Sequence, residues 1–188
     1  MALFLTADLH LGHKNILTYC PARGKQWASV NAMDEALIAN WNRVVQPEDT
    51  VYIIGDFALG NQHFQQRCVE ACQGRKVLLI RGNHDGSITR CKRNGFTEVY
   101  DELKIAIGAQ EFLLNHFPRD NTAPRFQARK PIDTGLPLLC GHVHQHWLAK
   151  GRMYNVGIDQ HNFFPVPEST IVAWAASLPQ IDKINTVC

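Results

Sequence analysis

Five apolar runs punctuate the chain, and each stops on a polar residue able to hold a cation. Residues 2–5 lead to Asp8 and His10, residues 51–54 to Asp56, and residues 77–80 to Asn83 and His84. Residues 112–114 lead to His116, and residues 136–139 to Cys140-Gly141-His142-Val143-His144. Short, nearly continuous apolar runs bounded by polar residues or Gly predict strands buried on both faces. In open α/β sheets, ligands gather outside the carboxyl ends of such strands. A core alone gives no reason for a polar cluster at five strand ends.

Helical spacing separates the first runs. Met33, Leu37, Trp41 and Val44 define one helix, with Asn31 as its cap, Asp34 in its first turn and Pro47 beyond its end. Residues 61–73 form a second, capped by Asn61 and stopped at Gly74, and residues 87–94 a third, stopped at Gly95. From about Val99 shorter strand candidates take over, at 103–107, 111–115, 136–140, 153–156 and 170–174. Two packed sheets with flanking helices fit this pattern better than one doubly wound sheet. No linker or repeat marks a boundary, so residues 1–188 read as a single domain whose last ten or so form a weakly patterned tail.

Composition narrows the function. At 188 residues and 45% hydrophobic content the chain can bury a substantial core. A formal charge of +2 and a pI near 8.2 give no case for a polybasic membrane anchor, and nucleic acid is a possible but not a favoured partner. No apolar stretch approaches the roughly 18 residues that span a bilayer. The first ten residues lack the pattern of a signal peptide. The six cysteines, Cys20, Cys68, Cys72, Cys91, Cys140 and Cys188, contain no CxxC spacing. They read as thiols of a reduced cytoplasmic protein, with Cys68 and Cys72 as small core residues. Cys188 closes the chain and makes no prenylation signal.

Taken singly, an Asp or His at a strand end is more often a structural hydrogen-bonder than a ligand. Asp8, His10, Asp56, Asn83, His116, His142 and His144 together mix hard oxygen donors with imidazoles, a set suited to Mn, Fe, Zn or similar divalent ions. Seven donors exceed one tetrahedral ion and suit two.

The ordered series Asp8-x-His10, Gly55-Asp56, Gly82-Asn83-His84-Asp85, His116 and Gly141-His142-x-His144 resembles the calcineurin-like metallophosphoesterase superfamily. Residues 6–16, with Asn155-Val156-Gly157-Ile158-Asp159, are similar to its small single-domain bacterial and phage branch. The resemblance implies an α/β fold, a four-layer αββα sandwich of two packed mixed β-sheets flanked by helices. It implies two divalent ions: one on Asp8, His10 and His144, the other on Asn83, His116 and His142, with Asp56 bridging. Such a pair holds a hydroxide for in-line attack on phosphorus. His84 is implied as the general acid rather than a ligand, with a structural role beside Asp85 as its alternative. The substrate expected is a phosphorylated small molecule or nucleotide, as a monoester or diester. Little chain is left to cap the site, so it should be open. A nuclease and a non-catalytic scaffold on the same fold are the rival readings.

The chain departs from the phosphoprotein phosphatases of the superfamily, which continue Gly-Asp into V-D-R-G; here Phe57-Ala58-Leu59-Gly60 follows. Arg119, three residues past His116, is the candidate phosphate clamp in place of the missing Arg. Asn83 and His13 are further candidate substrate contacts. Residues 119–135 read as an irregular basic loop. His63, His146 and His161 read as surface or supporting residues, and Trp147 as a packing residue.

Overall fold

Neighbouring side chains along the strands part between two cores. In the first sheet β1 (Leu3–Thr6), β2 (Thr50–Ile53), β3 (Lys76–Ile80) and β4 (Glu98–Tyr100) run parallel. A short antiparallel strand, β10 (Val166–Pro167), pairs with β1. Phe4, Val51, Ile53 and Leu79 turn to one core, while Leu5, Ile54 and Ile80 turn to the other. That two-sided burial is what makes the runs read as continuous rather than alternating. The second sheet orders β5 (Glu102–Ile107), β6 (Gln110–Asn115), β7 (Leu138–Cys140), β9 (Met153–Asn155) and β8 (Ala149–Lys150). Within it β6, β7 and β9 are parallel, and β5 and β8 are antiparallel to their neighbours. The computed structural model describes residues 1–179. The expected tail, Cys188 included, lies outside them.

Helices α1 (Ile16–Tyr19), α2 (Pro21–Gln26), α3 (Val30–Val44), α4 (Gln62–Ala71) and α5 (Ile88–Arg93) precede β4 in sequence. Met33, Leu37 and Trp41 of α3, Cys68 and Val69 of α4 and Cys91 of α5 pack on one face of the first sheet. Between the sheets lie Leu5, Ile54, Ile80, Phe112, Leu114, Leu139 and Val156. The outer face of the second sheet buries Leu113, Leu138 and Cys140 under Leu136 and Trp147, so Trp147 packs as expected. The fold is thus two five-stranded mixed sheets with flanking helices. The five described cysteines are buried and free.

Two expectations are corrected. Ser29, not Asn31, caps α3: its side chain accepts the Ala32 N–H at 3.2 Å. Asp34 therefore falls beyond the first turn, where its carboxylate accepts the Gly12 N–H at 2.9 Å. Residues 170–174 are not a strand but the middle of helix α6 (Glu168–Ala176). Pro167 fixes the backbone ahead of the helix and Glu168 meets its positive end, which outweighs the β-branched run. Ile171 is fully buried, and the Trp174 ring lies 5.0 Å from Tyr154. The short β4, β8 and β10, and helices α1 and α2, carry too little pattern to be read from sequence.

Candidate metal centre

All five strand ends open onto one place. β1, β2 and β3 point the same way in the first sheet, as β6 and β7 do in the second, so their carboxyl ends bring the predicted donors together. Ligand atoms of Asp8, His10 and His144 lie within 4.8 Å of one another, as do those of Asp8, Asp56 and His116. A third such group joins His10, Asp56 and His84. Asn83 Oδ1 stands 3.2 Å from His116 Nε2, and the His142 ring lies 5.1 Å from that of His116. His13, on the turn after β1, brings its ring to 5.3 Å from His10 and 5.5 Å from His84.

The backbone is bent to hold these side chains. Among the described residues, Asp8, His10, Asp56, His142 and His144 account for five of the seven non-glycine residues with positive φ. Each such conformation costs on the order of 1–3 kcal/mol and persists where the surroundings enforce it. The enforcement is visible. Asp8 and His10 donate their N–H groups to Gly55 O and Asp56 O at 3.0 and 2.9 Å. His142 N donates to Asp8 Oδ2 at 2.8 Å, and His84 N to Asp56 Oδ1 at 2.8 Å. Gly82 is required: a Cβ there would run into the Asp56 carboxylate.

Asp85 was not singled out as a functional residue. Its carboxylate accepts N–H groups from Asp56 at 2.8 Å and Gly82 at 2.7 Å, tying two of the strand ends together. It makes no hydrogen bond to His84, whose ring is exposed at the site's mouth. The Asp in G-N-H-D was the available signal. Arg119 is engaged by its own loop. Its guanidinium donates to Leu136 O at 2.8 Å and pairs with Asp133 at 3.4 Å, closing the base of the basic loop. Arg129 instead joins that loop to the site, donating to Gly82 O at 3.0 Å and Arg81 O at 2.5 Å. The loop is partly ordered as a 3-10 helix (Pro124–Arg129) that sets the Phe126 ring 5.5 Å from His142.

The electrostatics are those of a cation site. Burial pushes the Asp8 carboxyl up, and it also pushes His10 well below its ordinary value. Burial likewise opposes ionisation of Asp56 and His116, yet their mutual attraction at 3.4 Å holds Asp56 low and His116 high. His142 is lowered to about 4, by burial and then by His116. Asp8 Oδ1 and both ring nitrogens of His10 are buried without a hydrogen-bond partner. Such orphans are costly in a protein interior unless something else is meant to meet them. Hard carboxylate oxygens beside imidazole nitrogens fit a divalent ion.

A cluster of this composition, at the carboxyl ends of strands from two packed sheets, has the make-up of a divalent-metal centre. The profile described as "Calcineurin-like phosphoesterase superfamily domain" matches residues 1–164, and the chain belongs to that superfamily. The chain is 28% identical over 179 residues to an uncharacterized protein of Methanocaldococcus jannaschii, covering 90% of this chain and 89% of that one. It is 30% identical over 191 residues to the "Gene 66 protein" of Mycobacterium phage D29, covering 88% and 92%. Among solved structures, a protein of unknown function from Aquifex aeolicus superposes with a TM-score of 0.75 at 25% identity, over 92% of this chain and 98% of that one. Among the described residues, no helix is long and apolar enough to cross a membrane.

Proposed function

We propose that the chain hydrolyses a phosphoester of a small molecule or nucleotide at a centre holding two divalent ions, with His84 as the acid. The observation that carries this reading is the orphaned, buried set of Asp8 Oδ1 and the His10 ring nitrogens, in a cluster whose backbone is strained at five positions. Asp8, His10 and His144 would hold one ion and Asn83, His116 and His142 the other, with Asp56 available to both. When bound, such a pair supplies a nucleophile at neutral pH and neutralises charge on the phosphoryl oxygens.

The chain's own residues do the rest. Asp56 holds the His84 backbone at 2.8 Å, so the exposed imidazole stays beside the site and can give a proton to the leaving oxygen. Asn83 and His13 flank it and contact the phosphate. Arg119 is left out of this clamp because Leu136 O and Asp133 already engage it. Buried free thiols support a reducing compartment, the cytoplasm.

Elemental analysis of the purified protein, followed by a screen of Mn²⁺, Fe²⁺ and Zn²⁺ against aryl monoesters, aryl diesters and cyclic nucleotides, tests the reading. Bound metal with hydrolysis of at least one ester class is expected. No bound metal, and no hydrolysis with any of these ions, would replace it with a scaffold on the same fold.

A further inference from the structure

Arg23 and the segment Asn155-Val156-Gly157-Ile158-Asp159 contribute no donor to the cluster and no group to the proposed reaction. They are nonetheless among its most constrained neighbours. Arg23, on α2, is fully buried. Its Nε donates to Asp159 Oδ1 at 2.7 Å, and Nη2 donates to Asp159 Oδ2 at 2.8 Å and to Asp8 O at 2.5 Å. Nη1 donates to Leu9 O at 2.8 Å and meets Met33 Sδ at 3.9 Å. The two carbonyls it grips belong to the turn that carries Asp8 and His10, both at positive φ.

Asp159 reaches the other way, its Oδ2 standing 2.8 Å from His144 Nδ1. A carboxylate can only accept, so Nδ1 carries the hydrogen and Nε2 is left as the ring's donor atom. Asn155 Nδ2 donates to His144 O at 2.8 Å and to Trp147 O at 2.9 Å, and Gln160 Nε2 donates to His144 O at 3.1 Å. Ring and backbone of His144 are thus both held from this one segment.

Cys20, His144 and Asp159 are close enough to suggest a separate cation site. Arg23 argues against it, because its guanidinium already lies on the Asp159 carboxylate through two bonds and would repel a metal ion there.

We propose that Arg23 and Asp159 are positioning residues, which lock the His144 ring and the Asp8–His10 turn into one geometry so that the three ligands of one ion are set before it arrives. The proposal rests on the metal reading above. Partners of this kind typically change metal affinity by about 10–100-fold when removed.

The test is calorimetric titration of Mn²⁺ into metal-stripped protein, together with ¹⁵N imidazole spectra that report the His144 tautomer. Asp159→Asn is the direct variant. Because it leaves Arg23 buried without its counter-charge, Arg23→Met/Asp159→Leu is made beside it, replacing both charges with apolar groups of similar size. His144→Ala is the reference. The inference predicts that His144→Ala weakens one ion strongly, and that the folded Arg23 and Asp159 variants weaken the same ion by about 10–100-fold. The other ion should be held as in the wild type, and the Nδ1–H preference of His144 should be lost. If His144→Ala loses the ion while the folded double variant binds both ions with wild-type affinity, the positioning role is wrong and the metal reading stands. If His144→Ala itself binds both ions like the wild type, the assignment of His144 fails and the positioning role fails with it.

Discussion

Asp56 is the residue on which the two halves of the cluster meet, since it shares one close group with Asp8 and His116 and another with His10 and His84. Asp56→Asn should therefore weaken both ions and abolish turnover, and a variant that stays active with two ions would contradict its place between them. His84→Ala should keep the metals and slow turnover by about 10²–10⁴, the usual contribution of a general acid. The loss should shrink for esters with good leaving groups, so equal losses on good and poor ones would remove the acid role. Asp34 gives a prediction about stability. Burial first, partly offset by the Gly12 N–H, raises its carboxyl from 3.8 to about 6. A raised carboxyl binds its proton more tightly in the folded chain, so stability falls as pH rises from about 4 through about 6. Asp34→Asn should be more stable than the wild type at pH 8 by on the order of 1–2 kcal/mol, with the gap closing toward pH 4. Thermal melts across that range measure it. The candidate donors were legible because each follows the end of an apolar run. Arg23 and Asp85 were not, because Arg23 reaches Asp159 across 136 residues and Asp85 reaches the Asp56 N–H across 29, separations that sequence spacing does not reveal.

At the scale of elements, strands buried on both faces announce themselves, and all five apolar runs became strands of the two sheets. Helix ends were less certain. Asn61 caps α4 as expected and Ser87 proves to cap α5, whereas α3 begins two residues earlier than the Asn31 cap implied. The failure at α6 is instructive. Its Thr-Ile-Val-Ala-Trp core has the composition of a strand, but tertiary packing of Ile171 and Trp174 between sheet and solvent selects a helix. Ile171→Ala should cost about 2–4 kcal/mol in urea denaturation, the range for emptying a fully buried aliphatic site, and leave turnover intact. A loss under about 0.5 kcal/mol would mean that α6 is not anchored this way. The turn after β3 is tighter still. Gly82→Ala should lose metal, because its methyl group would displace the Asp56 carboxylate.

For the whole molecule, the two sheets contribute donors to one centre: Asp8, His10, Asp56 and Asn83 from the first, His116, His142 and His144 from the second. An ion held there would tie the sheets together and would bind the folded chain alone. Chelation should accordingly lower the melting temperature, by about 10–20 °C if each of the two ions is present at a hundred times its dissociation constant. The formal charge of +2 predicts no strong salt dependence of substrate capture. The claim on which everything else rests is that the five strand ends form a single centre for two ions. Calorimetric titration of Mn²⁺ into metal-stripped wild type and Asp56→Asn measures it most directly. Two ions per wild-type chain, both weakened by the substitution, is the predicted result; a single ion, or two ions unaffected by the loss of Asp56, would contradict it.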